Sequence, residues 1–178
     1  MLEDPCNNPA NSHVRFRSWR ALLLLTILAG AAAVAVPVIG KPAPDFVLRA
    51  LDARNVRISE FRGEVVVVNF WAAWCGPCQQ ELRRLEDLHQ RYQRAGLVVL
   101  AVNLDDDVAR AQDISRRLAV SFPMLFDPSK ETGRLYQVDS MPMTLLIDRE
   151  GNVRHVHGSY SEDDGELYLK QIRGLLDE

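Results

Sequence analysis

A Cys-x-x-Cys pair set between a β-branched apolar run and a helix-patterned segment constrains this chain more than any other feature. Residues 64–71 end in Asn69-Phe70-Trp71, and Ala72-Ala73-Trp74 lead into Cys75-Gly76-Pro77-Cys78. Beyond the pair, Leu82, Leu85, Leu88 and Tyr92 recur on one helical face. Gln79, Arg83, Arg84, Asp87, Gln90, Arg91 and Arg94 take the other positions, and Gly96 ends the pattern. The run before the pair is mostly apolar, as expected of a central strand covered on both faces. Cys75 therefore falls at a strand-to-helix junction, where unpaired N–H groups and the positive end of the helix dipole favour thiolate over thiol. Cys78, one helical turn inward, is the more buried thiol and can resolve a mixed disulfide formed on Cys75. That is dithiol–disulfide exchange chemistry.

The remainder of the chain supplies a sheet for this junction. Residues 46–51 and 56–58 read as a short hairpin around a turn at 52–55. Residues 97–104 form a second buried strand. Asp105, Asp106 and Asp107 stand where a helix N-terminus favours negative charge, ahead of an apolar stripe of Val108, Ala111, Ile114, Ser115 and Leu118. A short strand over 122–126 and a brief helical piece up to Tyr136 follow. Residues 144–147 and 153–157 flank a turn as a second hairpin. Ser161, with Asp164 three residues on, suits a helix N-terminus. The last helix carries Leu167, Ile172, Leu175 and Leu176 as its apolar positions. The order gives an α/β fold: a mixed central sheet with helices on both faces.

Residues 21–39 contain no charge and as a helix would extend about 28 Å, close to the thickness of a bilayer's hydrocarbon core. Arg15, Arg17 and Arg20 precede them, the arrangement that keeps an N-terminus cytoplasmic. The alternative is a cleaved signal peptide with its cut among the alanines at 31–35. The run through Val36, Val38 and Ile39 outlasts a typical signal core and favours an anchor. The expected organisation is a cytoplasmic tail at 1–20, a transmembrane anchor or signal segment at 21–39, and the sheet domain at 40–178. The catalytic domain then faces the periplasm from the inner membrane, or is soluble there after cleavage. Cys6 lies alone in the polar tail. The 21 Lys and Arg are dispersed among 24 Asp and Glu, so no nucleic-acid footprint exists.

The pair has rival readings. A zinc site wants about four ligands, yet there is no second Cys-x-x-Cys, and His13, His89, His155 and His157 are scattered. No cofactor or metal is implied. His155 and His157 read as exposed residues of an edge strand.

Trp74-Cys75-Gly76-Pro77-Cys78, together with Met141-Pro142 and the segment at 39–46, resembles the thioredoxin-like superfamily. Within it the chain is similar to the membrane-anchored thiol–disulfide reductases of the TlpA/ResA type, relatives of the cytochrome c maturation thioredoxins. The resemblance spans residues 39–176. It implies Cys75 as nucleophile, Cys78 as resolving thiol, and Glu81 as a carboxylate beneath the disulfide that accepts a proton from Cys78. Asn69 stands where minimal thioredoxins keep a buried aspartate. Pro142 falls at the family's cis-proline, so Met141 and Pro142, with Trp74, Gly76 and Pro77, form the substrate-docking surface. Gly76-Pro77 matches cytosolic-type thioredoxin and departs from the cytochrome-maturation members. Pro77 also removes an N–H donor from beside the sulfurs, and together these imply a reducing potential of about −270 mV.

The resulting expectation is an exported protein-disulfide reductase acting on a disulfide-bearing exported protein, possible targets including an apocytochrome Cys-x-x-Cys-His. It is recharged by a membrane electron donor. Two alternatives remain at this point: a non-catalytic binding or assembly factor of the same fold, and a thiol peroxidase. The latter shares the Pro42-Ala43-Pro44-Asp45-Phe46 opening but needs a hydroxyl residue near its cysteine, where this chain has Ala72 and Ala73.

Overall fold

A computed structural model of the chain describes residues 39–178. The segments proposed as tail and anchor, apart from Ile39, lie outside the described residues, as does Cys6. No helix among the described residues is long and apolar enough to cross a membrane.

Seven strands form one mixed sheet. They are β1 (Val47–Ala50), β2 (Asn55–Arg57), β3 (Val65–Trp71), β4 (Leu97–Asn103), β5 (Met124–Phe126), β6 (Met143–Ile147) and β7 (Val153–His157), in the order β2-β1-β5-β4-β3-β6-β7. β3 is wholly buried near the middle, parallel to β4 and antiparallel to β6. Both expected hairpins form, β1 with β2 and β6 with β7. The helices are α1 (Gly76–Tyr92), α2 (Val108–Leu118), α3 (Glu131–Leu135) and α4 (Asp164–Leu176).

Alternation along β3 divides the core. Val65, Val67 and Trp71 face α1 and α4, meeting Leu82, Leu85, Leu88, Ile172 and Leu175, with Ile114 and Leu118 of α2 at the margin. Val66, Val68 and Phe70 face the other side, against Tyr136, Phe46 and Ile58. Tyr136 closes that side by donating to the Pro44 carbonyl at 2.6 Å. Helices or helical turns thus cover both faces, because a central strand buried on both sides needs two apolar layers. Gly96 adopts φ +98° after a short 3-10 turn, and a Cβ there would lie 2.5 Å from the Glu64 carboxylate. This left-handed residue ends the helical segment and turns the chain into β4.

Some boundaries and faces differ from those the sequence pattern predicts. β5 begins at Met124, since Pro123 cannot donate to the ladder. Ile58 leaves the hairpin for a 3-10 turn over Ile58–Phe61. The last helix starts at Asp164, and only half of the expected capping box forms: Ser161 donates its N–H and hydroxyl to the Asp164 carboxylate at 2.6 and 2.9 Å, while no side chain accepts from the helix's first N–H groups. Leu167 is exposed and Tyr168, its neighbour, is buried. His155 and His157 are half-buried rather than exposed. The His157 ring packs 4.8 Å from the Tyr168 ring and its Nε2 lies 2.8 Å from Gln171 Oε1.

Candidate active site

The C-terminal end of β3 delivers Ala72 and Ala73 to a tight loop tied to the end of β4. Asp105 turns back from its own loop: its carboxylate accepts from the Ala73 N–H at 2.6 Å and from the Asn103 side-chain amide at 2.7 Å. Of the three consecutive aspartates only Asp107 caps α2, accepting from the Arg110 N–H at 3.0 Å. Gln79 on α1 donates to the Ala73 carbonyl at 3.1 Å. The loop that presents the cysteines is thereby held from two sides.

Cys75 is the N-cap of α1, with Gly76 and Pro77 forming the helix's first positions. Pro at that point loses nothing, because a first-turn N–H has no helical partner. Cys75 Sγ accepts from the Cys78 N–H at 3.2 Å, the contact a sulfur at a helix N-terminus makes. Cys75 and Cys78 are joined as a disulfide. Cys78 is fully buried and Cys75 is 4% exposed, so the edge of Cys75 is what an incoming sulfur reaches. Trp74 beside it is 67% exposed, whereas Trp71 is fully buried. The Met141–Pro142 peptide is cis; Met141 is half-buried and Pro142 buried. Trp74 and Met141 share the wall of a cavity of about 810 Å³, which runs past Leu104, Asp107, Gly133 and Val138.

Glu81, three residues after Cys78 on α1, is fully buried. Its Oε1 accepts from Tyr168 OH at 2.6 Å and Thr144 Oγ1 at 2.7 Å, and its Oε2 accepts from Asn69 Nδ2 at 2.8 Å. The Asn69 amide also donates to Thr144 Oγ1 at 2.8 Å. Burial raises the Glu81 carboxyl above the usual glutamate range. The Tyr168, Thr144 and Asn69 hydrogen bonds pull it back only in part, and Asp164 adds to the rise. Burial and the neighbouring carboxylate push the Tyr168 phenol far up, so it remains a donor.

The residues singled out from sequence divide into two groups. Cys75, Cys78 and Glu81 lie along the first turns of α1, and Trp74 and Met141 gather at the adjoining cavity wall. Thr144 and Tyr168 were not legible as site residues. Thr144 had one available signal: it sits two residues after Pro142 and pairs across the sheet with Asn69. Among the described residues no cluster of three or more potential metal-ligating side chains occurs.

A cysteine pair at the head of a helix that follows a central strand, above a buried carboxylate, defines a thioredoxin-like thiol–disulfide oxidoreductase. Residues 39–156 match the model of the AhpC/TSA family, and the chain belongs to that family. Thiol-disulfide oxidoreductase ResA of Geobacillus thermodenitrificans is 34% identical over 136 residues, covering 76% of this chain and 78% of its own. ResA of Bacillus thuringiensis is 31% identical over 135 residues, covering 75% of this chain and 78% of its own. A crystal structure assigned as the thiol:disulfide interchange protein DsbE of Chlorobium tepidum superposes with a TM-score of 0.76 at 37% identity, covering 80% of this chain and 99% of that one. The enzyme class of this chain is thiol–disulfide oxidoreductase.

Proposed function

We propose that this oxidoreductase works as an exported protein-disulfide reductase. The observation that carries the reading is the fully buried Glu81 one helical turn from the fully buried Cys78. A thiol sealed from solvent needs an internal group to take its proton before it can attack, and a carboxylate raised by burial is suited to do so.

The cycle starts from the reduced pair. The Cys75 thiolate attacks one sulfur of a target disulfide; the target S–S bond breaks and its other sulfur leaves as a thiolate that takes up a proton. Cys78 passes its proton to Glu81 and attacks Cys75 Sγ. The mixed disulfide breaks, the second target sulfur leaves and is protonated, and the Cys75–Cys78 disulfide remains. Two electrons pass from the dithiol to the target. Trp74, Gly76, Pro77, Met141 and Pro142 are the docking surface, with the cavity beside Trp74 and Met141 receiving the chain next to the target cysteine. Glu81, Cys75 and Cys78 carry the chemistry.

Residues 21–39 anchor the domain on the outer face of the inner membrane in this reading, and a membrane electron donor restores the dithiol. The target is an exported protein. An apocytochrome Cys-x-x-Cys-His segment is its finer form, supported by the resemblance to cytochrome c maturation thioredoxins; Gly76-Pro77 instead favours a broader range. The Ala72-Ala73 approach to Cys75 speaks against peroxide reduction, since no hydroxyl residue stands there.

Insulin reduction with a thiol donor tests the reading. The wild type should be active, Cys75→Ser inactive, and Cys78→Ser should accumulate a covalent adduct through Cys75. Equal turnover by wild type and Cys75→Ser would remove the catalytic reading and leave a binding factor. Comparing a Cys-x-x-Cys-His disulfide peptide with insulin by kcat/KM tests the target class.

A further inference from the structure

Three short contacts reach Glu81 and a fourth joins two of its partners: Asn69 Nδ2 to Glu81 Oε2, Thr144 Oγ1 to Glu81 Oε1, Tyr168 OH to Glu81 Oε1, and Asn69 Nδ2 to Thr144 Oγ1. Each needs one proton between its two heavy atoms. The Asn69 amide supplies two, the Thr144 hydroxyl one and the Tyr168 hydroxyl one. Four protons serve four contacts only if Glu81 brings none. A protonated Glu81 would add a fifth, leaving one buried hydrogen facing another donor or no acceptor.

The orientation of Asn69 completes the count. Its Oδ1 is buried without a hydrogen-bond partner, a costly arrangement that the inward-facing amide nitrogen requires. Turning the amide over would put Oδ1 against Glu81 and Thr144. A protonated Glu81 would then share three protons among four contacts, so that state does not close either. Three separate elements converge to build the set: Asn69 from β3, Thr144 from the paired position of β6, and Tyr168 from α4.

We propose that Asn69, Thr144 and Tyr168 are positioning residues whose donor set is matched to the ionised form of Glu81, keeping this buried group available as the proton acceptor for Cys78. The inference rests on the role given to Glu81 above. Burial and Asp164 oppose ionisation, and the three donors offset them. Besides Asp164, the titratable groups around Glu81 are Cys78 on its own helix, Tyr168, and Tyr160 at the approach to α4. Deleting a donor destabilises the carboxylate relative to the acid, so Glu81 gives up its proton only at higher pH. The step that needs the carboxylate then moves to the alkaline side.

The test uses the reduced full-length chain and Ellman's reagent, an aromatic disulfide, in stopped flow. Attack by Cys75 releases the first chromophore and attack by Cys78 the second. The second phase is followed against pH in wild type, Tyr168→Phe, Thr144→Val, Thr144→Ser, Asn69→Leu and Glu81→Gln. Removing one donor to the carboxylate should raise the midpoint of that phase by about one pH unit or more. Thr144→Ser, which keeps the hydroxyl, should retain the wild-type midpoint. At high pH the Thr144→Val and Tyr168→Phe rates should return to within about threefold of wild type, because full ionisation removes the deficit. Glu81→Gln should lose the midpoint. A wild-type profile in Glu81→Gln would overturn the role of Glu81 itself. If Glu81→Gln loses the midpoint while Thr144→Val and Tyr168→Phe keep it, the donors are structural and this inference is wrong. Slower phases with unmoved midpoints would overturn it as well. Should Tyr168→Phe fail to fold, the Thr144→Val and Thr144→Ser pair decides.

Discussion

At the residue scale, Glu81 should be visible in stability as well as in rate. Its carboxyl is raised by burial in the folded protein, while in the unfolded chain it titrates near the ordinary glutamate value of 4.5. A raised carboxyl binds its proton more tightly when folded, so its contribution is fully present below about pH 4.5 and is lost as pH rises through the folded value. The Tm of the oxidised wild type should therefore fall relative to Glu81→Gln as pH rises from about 5 to 8. Parallel curves across that window would show that burial does not perturb Glu81. Asp45 and Glu86 act in the opposite direction, since both are lowered by hydrogen bonds that outweigh burial, and the comparison with Glu81→Gln cancels them. Cys75 and Cys78 were legible because their chemistry is written in a four-residue spacing. Glu81 was legible in part, through its three-residue offset from Cys78 and the resemblance. Thr144 and Tyr168 lie 63 and 87 residues from Glu81 in sequence, and only the closed sheet and the docked α4 bring them to it.

At the scale of elements, the three aspartates at 105–107 separate two kinds of work that composition cannot distinguish. Asp105 satisfies the Ala73 N–H next to the cysteine loop, and Ala73 is buried. Asp106 pairs with Lys130 at 2.7 Å on the surface, its own side chain 84% exposed. Asp105→Ala leaves a buried donor unmet and should cost about 1–3 kcal/mol, with slower attack by Cys75 as the loop loosens. Asp106→Ala should stay within about 0.5 kcal/mol, as exposed ion pairs usually do. Chemical denaturation of the two variants, with alkylation kinetics of the reduced protein, checks both. Equal losses would mean that the Asp105 tie does not hold the loop. In sequence all three residues read as the start of α2, because local pattern registers charge near a helix, and only Asp107 is in capping geometry. The same limit applies to the α4 face. A period drawn through Leu167 is one residue from Tyr168, whose ring and hydroxyl serve the core and Glu81. Strands are more legible, since alternating or continuous burial along a seven-residue run such as β3 leaves little freedom of face or register.

For the whole molecule, the direction of electron flow follows from which partners can reach the cysteine pair. Cys78 is sealed, and Cys75 offers only an edge beside Trp74. An electron donor and a target disulfide must therefore approach the same mouth, and the two exclude one another. Such an enzyme alternates between partners, and its resting state is set by whichever is faster. In an oxidising compartment an unsupported pair with a reducing potential accumulates as the disulfide. A reductase thus depends on a donor that outpaces oxidation, so in growing cells Cys75 and Cys78 should be largely reduced. Acid quenching followed by a thiol-reactive mass tag reads this directly. The reduced fraction should collapse when membrane electron supply to exported thiols is removed, while Cys78→Ser should trap targets only in cells that retain that supply. A pair oxidised in every strain, with a measured potential of about −120 mV and disulfide-forming activity on reduced substrates, would reverse the assignment to an oxidase. Glu81 would then act in the opposite sense, returning a proton to Cys78 as the disulfide is handed on.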